Sequence, residues 1–196
     1  MHAPRFDARR LRSLVALLLL AGALAGITPV VASASTVEAS ASTCVAWTGM
    51  QPPSPGTESF LDGVAVLSPC NAWAVGYYYN GAAYQTLIEH WNGTSWKQVT
   101  SPNPGGSSHD DFLDGVAATS STNAWAVGYY YNGTADQTLI EHWNGTAWKE
   151  VTSPNVGGSS LYNSLDGVAA TSSTNAWAVG DYYNGTANQT LASHCC

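Results

Sequence analysis

The sequence predicts an all-β fold, a β-propeller-like array of about three four-stranded antiparallel blades, and three observations carry that reading. A unit of 52 residues recurs from Leu61 onward, and a fixed period in this range marks an architecture whose units bury their faces on one another. Inside each unit, short runs rich in Val, Ile, Thr and aromatics alternate with Asn-Gly pairs, the composition of strands joined by hairpins. Beyond the first 34 residues no apolar pattern has a helical period.

The N-terminus is basic through Arg5, Arg9, Arg10 and Arg12, then apolar over SLVALLLLAGALAGITPVV, then small-residue over ASAST. That order is the layout of a cleaved secretory signal. Cleavage is expected after Ala34, which assigns 1–34 to the signal, 35–43 to a flexible Ser/Ala/Thr-rich linker and 44–196 to the repeat domain. An uncleaved anchor is the competing reading, since the apolar run approaches the roughly 20 residues that span a bilayer. Gly22, Gly26, Pro29 and the A-x-A site favour cleavage, so no membrane attachment is expected afterwards and the protein is expected outside the cell. Cleavage removes all four arginines and leaves Lys97 and Lys149 against twelve acidic residues, a net charge of about −10. Without clustered cations to displace counterions from phosphates, nucleic acid is excluded as a partner, as is electrostatic attachment to an anionic membrane.

All four cysteines, Cys44, Cys70, Cys195 and Cys196, fall in the exported part, where an oxidising compartment permits disulfides. Four cysteines allow three pairings, which the sequence does not separate. Zinc is disfavoured, because no C-x-x-C spacing occurs and His90, His142 and His194 fall a repeat apart.

Residues 61–103 and 113–155 differ at eight of 43 positions, and a third copy starts at Leu165. The repeats are therefore about 61–112, 113–164 and 165–196. Within one copy four strands are expected: LDGVAA, AWAVGYYY, QTLIEHW and SWKQV. The inner connections carry Asn80-Gly81 and Asn92-Gly93, then Asn132-Gly133, Asn144-Gly145 and Asn184-Gly185; Asn-Gly accepts the positive φ of a type I′ turn. The second strand sorts side chains by size, with Trp73, Val75, Tyr77 and Tyr79 alternating with Ala72, Ala74, Gly76 and Tyr78. Period two places a bulky row on one face and a mostly small row on the other. Two apolar faces imply burial on both sides, as when the bulky face of one blade packs on the small face of the next.

The ends break the pattern. CVAWT around Trp47 reads as a lone fourth strand, and the third copy stops after its third strand at TLASHCC. The N-terminal strand would complete the last blade, and a disulfide from Cys44 to Cys195 or Cys196 would lock that closure. Closed propellers typically have four or more blades, so a homodimer completing a six-bladed ring and a gene fragment are the alternatives.

The segments WAVG, EHWNGTSW and EHWNGTAW resemble those of secreted bacterial propellers related in layout to Kelch, BNR and photosystem assembly-factor propellers. Gly93, Gly145, Trp96 and Trp148 match the Asp-box hairpin S-x-D-x-G-x-T-W, while Glu89 and Trp91 stand where that motif has Ser and Asp. The resemblance covers roughly residues 44–196 and implies the blade layout, not an activity.

Asp62, Asp114 and Asp166 recur at the start of the first strand, nearest the axis of a propeller, where three carboxylates would take a hard cation such as calcium. The competing reading is an Asp-Gly turn whose carboxylate accepts local N–H bonds. Glu89-His90 and Glu141-His142 look like acid/base pairs, but consecutive strand residues point to opposite faces, and a repeated pair is not one asymmetric catalytic constellation. Solvated or hydrogen-bonded strand residues are expected there. His109-Asp110-Asp111 is the one unrepeated polar cluster, a solvated loop or a weak metal site. No arginine remains to grip a substrate carboxylate, and no G-x-S-x-G or phosphate loop occurs. Trp73, Trp125 and Trp177 are expected in the core. Tyr78, Tyr79, Tyr84, Tyr130, Tyr131 and Tyr183, near hairpin tips, are the candidates for ligand contact. The N-x-T triplets at Asn92, Asn132, Asn144, Asn184 and Asn188 read as turns rather than glycosylation sites. The resulting expectation is a secreted, non-enzymatic module that binds a glycan or protein through loops and aromatic residues. An extracellular polysaccharide hydrolase and a structural fragment without a ligand are the alternatives.

Overall fold

The computed structural model describes residues 49–195, which hold strands and no helix. The first sheet is a meander of β1 (Ser59–Ser68), β2 (Asn71–Tyr79), β3 (Tyr84–Trp91) and β4 (Trp96–Val99). The second repeats it with β5 (Asp111–Ser120), β6 (Asn123–Tyr131), β7 (Asp136–Trp143) and β8 (Trp148–Val151). The third has β9 (Asn163–Ser172), β10 (Asn175–Tyr183) and β11 (Asn188–Cys195). All pairings are antiparallel and no sheet closes into a barrel.

The hairpins differ from the expected two-residue turn. Tyr79 pairs with Tyr84, so four residues close the loop. The cause is the Asn80 side chain, whose Oδ1 accepts the N–H groups of Ala82 at 2.8 Å and Ala83 at 3.0 Å, while Gly81 turns the chain at φ 101°. Asn92 does the same for Thr94 and Ser95, and the Thr94 hydroxyl also donates to Asn92 Oδ1 at 2.8 Å. The third position of that N-G-T triplet thus belongs to the turn.

Each Asp-Gly pair lies inside its strand, neither at its start nor in a turn. Leu61 and Gly63 pair with the consecutive residues Gly76 and Val75, so Asp62 is the extra residue of a β-bulge. Asp114 and Asp166 occupy the same place in β5 and β9. The bulge presses the first strand against the glycine of WAVG: a Cβ on Gly76 would stand 2.1 Å from the Phe60 carbonyl oxygen, and Gly128 stands equally close to Phe112. Only glycine fits there.

β1, β5 and β9 lie side by side, β2 and β3 rest on β5, and β6 and β7 rest on β9. At the bulges the backbones approach closely, since a Cβ on Gly63 would meet Asp114 O at 3.1 Å and one on Gly115 would meet Gly167 Cα at 3.2 Å. Trp73, Val75 and Ile88 of the first sheet pack on Leu113, Ala124, Ala126, Leu139 and Trp148 of the second. This is the bulky-on-small contact that the alternation in AWAVGYYY calls for. Trp73 also meets the rings of Trp143 at 5.1 Å and Trp148 at 5.2 Å. Between the second and third sheets, Val127 and Ile140 face Leu165, Ala178 and Leu191. There Cys195 stands one repeat after Trp143, and a cavity of about 280 Å³ opens beside Trp125, Ile140 and Cys195. Trp177, expected in the core, is exposed, because no further described sheet covers it.

The signal (1–34), the linker (35–43), the strand around Trp47, Cys44 and Cys196 lie outside the described residues, as does the strand closure built on them. Cys195 is free, so of the two expected bridges the one from Cys44 to Cys195 is not formed, and the one from Cys44 to Cys196 lies outside the described residues. Cys70 is a disulfide cysteine.

Candidate functional site

Just ahead of each bulge the first strand carries a side chain that faces the end of the second strand. In the first two repeats these are Phe60 and Phe112, opposite Tyr77 and Tyr129. Because β1 and β5 lie side by side, the four rings join into one row: Phe60 to Tyr77 at 5.1 Å, Tyr77 to Phe112 at 4.7 Å, and Phe112 to Tyr129 at 4.9 Å. Tyr84 joins from β3, 5.2 Å from Tyr77 and 5.5 Å from Phe112, and Tyr79 packs on Tyr84 at 5.4 Å. The Tyr84 hydroxyl donates to Glu58 Oε2 at 2.8 Å. Tyr77 and Tyr84 are half-buried and Phe60 is exposed.

The three bulged aspartates run beside this row. Burial pushes the Asp114 carboxyl up to about 6, and the charges of Asp62 and Asp166 add to that push, so the three are electrostatic neighbours. Burial raises Asp62 as well. The Tyr77 hydroxyl is held above its ordinary value by burial and then by the fields of Asp62, Asp114 and Glu58, which ties the carboxylates to the ring row. Asp114 Oδ2 is buried without a hydrogen-bond partner. Among the described residues no group of three or more His, Cys, Asp or Glu side chains is placed to hold a metal ion. Asp62, Asp114 and Asp166 therefore line the stack without converging on a calcium position.

In the third repeat the row stops. Ser164 and Asp181 stand where the second repeat has Phe112 and Tyr129. Ser164 Oγ lies 3.3 Å from both Asp166 Oδ1 and Asp181 Oδ1 and accepts from the Tyr162 hydroxyl at 2.9 Å. One end of the surface is thus aromatic and the other is hydroxyl and carboxylate.

Of the tyrosines singled out in the sequence, Tyr79 and Tyr84 enter the row. Tyr130 packs on the core between the first two sheets, Tyr131 meets His109 at 5.5 Å, and Tyr78 and Tyr183 make no ring contact with the row. Phe60, Tyr77, Phe112, Tyr129, Ser164 and Asp181 were not anticipated. The signal that pointed to them was Phe60 and Phe112 one period apart, each two residues before a bulged Asp, but a repeat counted from Leu61 places Phe60 outside the first copy.

The acid/base pairs resolve into structure. His90 Nε2 bonds Asn71 Oδ1 at 2.9 Å and its ring lies 4.3 Å from Trp73; His142 repeats this with Asn123 and Trp125. Glu89 and Glu141 are not solvated: both are fully buried and no oxygen of either has a hydrogen-bond partner. Burial pushes Glu89 up to about 7 and Glu141 well above the carboxylate range. Asp110 and Asp111 form a strap rather than a solvated loop, with Asp110 Oδ1 accepting Tyr84 N–H and Asp111 Oδ1 accepting Gly105 N–H, both at 2.9 Å. A second cavity, of about 410 Å³, lies on the outer face of the first sheet between Met50, Pro52, Leu61, Val64, Trp91 and Trp96. No protein-family model and no curated protein matches the chain.

Proposed function

We propose that this chain is a secreted, non-enzymatic repeat module of β-propeller layout, similar to the propellers with WAVG and WNGTxW blades, that binds a neutral glycan across the aromatic row. The observation that carries the reading is the continuous row of Phe60, Tyr77, Phe112 and Tyr129 flanked by Asp62, Asp114 and Asp166. Aromatic faces pack on the C–H faces of sugar rings, and carboxylate oxygens accept from sugar hydroxyls. The acidic balance favours an uncharged sugar over a phosphorylated or carboxylated one. Export is supported by the N-terminal layout, and the propeller layout by the side-by-side first strands and the bulky-on-small contact of the sheets.

The test is a glycan array followed by calorimetry on the retained sugar. Phe112→Ala should weaken binding by about tenfold, the loss of one to two aromatic contacts at about 0.5–1.5 kcal/mol each. A chain that retains no glycan, or whose glycan binding survives Phe112→Ala and Tyr77→Ala together, refutes the reading. One observation favours hydrolysis as the second reading: Asp114, held near 6 between two other carboxylates, is a candidate proton donor. Release of reducing ends that Asp114→Asn abolishes would establish it.

A further inference from the structure

We infer that the outer face of the third sheet receives β1 of a second copy of this chain, so that copies associate head to tail. The repeat supplies its own comparison. Trp73 and Trp125 are 2% and 4% exposed, whereas Trp177, at the same repeat position, is 53% exposed. Val75 and Val127 are likewise buried and Val179 is not. The segment NAWAVG is the same in all three copies, and the first two copies differ from the third in having a described sheet packed over it.

What covers the first two copies is known from within the molecule. The bulky face of each sheet rests on the first strand of the sheet that follows, β5 over β2 and β3, and β9 over β6 and β7. That strand presents Leu113 and Val116 in β5 and Leu165 and Val168 in β9. β1 carries the same pattern, Leu61 and Val64, and both are exposed along with Val66. Among the described residues the chain therefore shows two faces that no sheet covers, the β1 face bordered by Met50 and Pro52, and they are the two halves of an interface it already makes twice. One copy cannot unite them among its described strands, since β1 and β9 each flank β5. A second copy can, and the resulting contact is heterologous, with each face meeting the other kind.

The glycines give a way to block one face without disturbing the chain. A Cβ on Gly63 or Gly115 would press on the backbone of the following sheet at 3.1–3.3 Å, but a Cβ on Gly167 meets only Val179 Cγ2, at an ordinary 3.7 Å. Gly167→Leu should fold and yet obstruct a docking β1. Trp177→Ser is a second block on that face, and Val64→Asp blocks the opposite one.

The experiment is native mass spectrometry with light scattering on the purified chain and these variants, with circular dichroism as the folding check. The expected result is a native mass at least twice that of one chain, a fall to the single-chain mass for each variant alone, and recovery of a pair when Gly167→Leu and Val64→Asp are mixed in equal amounts. A single-chain mass for the unaltered protein overturns the inference. So does a variant of either face that still self-associates, because a symmetric contact through one face would leave variants of the other face paired. Should Gly167→Leu lose its strand signal, the Trp177→Ser and Val64→Asp mixture decides alone.

Discussion

Leu61, Leu113 and Leu165 occupy one position in three copies of one sequence, and their cost on truncation to alanine should differ because only two of them lie under a neighbouring sheet. Leu113 and Leu165 are 0% exposed and Leu61 is 40% exposed. Leu→Ala removes three carbons, about 2.4 kcal/mol of transfer free energy at about 0.8 per carbon when the site is fully buried. If half of the vacated space, roughly 40 Å³, fails to collapse, the cavity adds about 1 kcal/mol at about 24 cal/mol per Å³. Leu113→Ala and Leu165→Ala should therefore cost about 3–3.5 kcal/mol each. Leu61→Ala forfeits about six-tenths of the transfer part, about 1.4 kcal/mol, and solvent fills its place without a cavity. Urea unfolding at high dilution, where copies are separate, reads this as midpoint shifts of about 1.5 M against about 0.7 M for a slope near 2 kcal/mol per M. Fluorescence and circular dichroism must give coincident transitions, because repeat arrays can unfold in parts. Equal shifts at all three positions, or the largest at Leu61, would falsify the claim that sheet stacking buries the first strands.

Three further outcomes follow from named contacts. Gly76→Ala places a Cβ 2.1 Å from the Phe60 carbonyl oxygen and should cost at least about 3 kcal/mol, at the upper end of overpacking effects, whereas Gly167→Ala, with its nearest neighbour at 3.7 Å, should shift the urea midpoint little. Buried Glu89 and Glu141 hold their protons to higher pH when folded than when unfolded, Glu89 to about 7, so the folded chain binds more protons from about pH 4.5 upward. Stability should then fall as pH rises through that window, by up to about 1.4 kcal/mol per pH unit for each such group, and Glu141→Gln should raise the melting temperature at pH 8 and flatten the profile; a protein most stable at pH 8 contradicts this. Peptide mapping after alkylation without reductant should find Cys195 labelled and Cys70 unlabelled, and labelling of Cys70 would refute the assignment.

The strands and the faces they present were readable, because strand pairing and side-chain alternation are local consequences of composition and period two. Tyr79 and Tyr84, singled out for their place near a hairpin tip, lie against the ring row. The Asp-Gly bulge was not, since Asp-Gly signals a turn when read alone and becomes a bulge only where a neighbouring strand fixes the register on both sides, as Gly76 and Val75 do for Leu61 and Gly63. Nor does local pattern separate Glu89 and Glu141 from exposed strand carboxylates, because their burial depends on what is packed over the sheet. The exposure of Trp177 has the same origin: its segment NAWAVG is that of Trp125, and no described sheet packs over it.

That dependence makes the departures from repetition more informative than the repeat. Three changes in the third copy, Ser164 for Phe112, Asp181 for Tyr129 and Cys195 for Trp143, each replace an aromatic ring that in the second copy takes part in a ring contact. Cys195 lines the cavity beside Trp125. Ser164 and Asp181 do something different, since they gather with Asp166 into a hydrogen-bonded polar group at the end of the ring row. A change that only relaxed packing would leave an apolar gap at Phe112's counterpart, whereas a polar group in register with the row fits a ligand that lies along rings at one end and presents hydroxyls at the other. Asp181→Tyr with Ser164→Phe, which would extend the row into the third repeat, should therefore alter which glycans are retained while leaving the strand signal unchanged; an identical glycan profile would mean that the third repeat lies outside the binding surface.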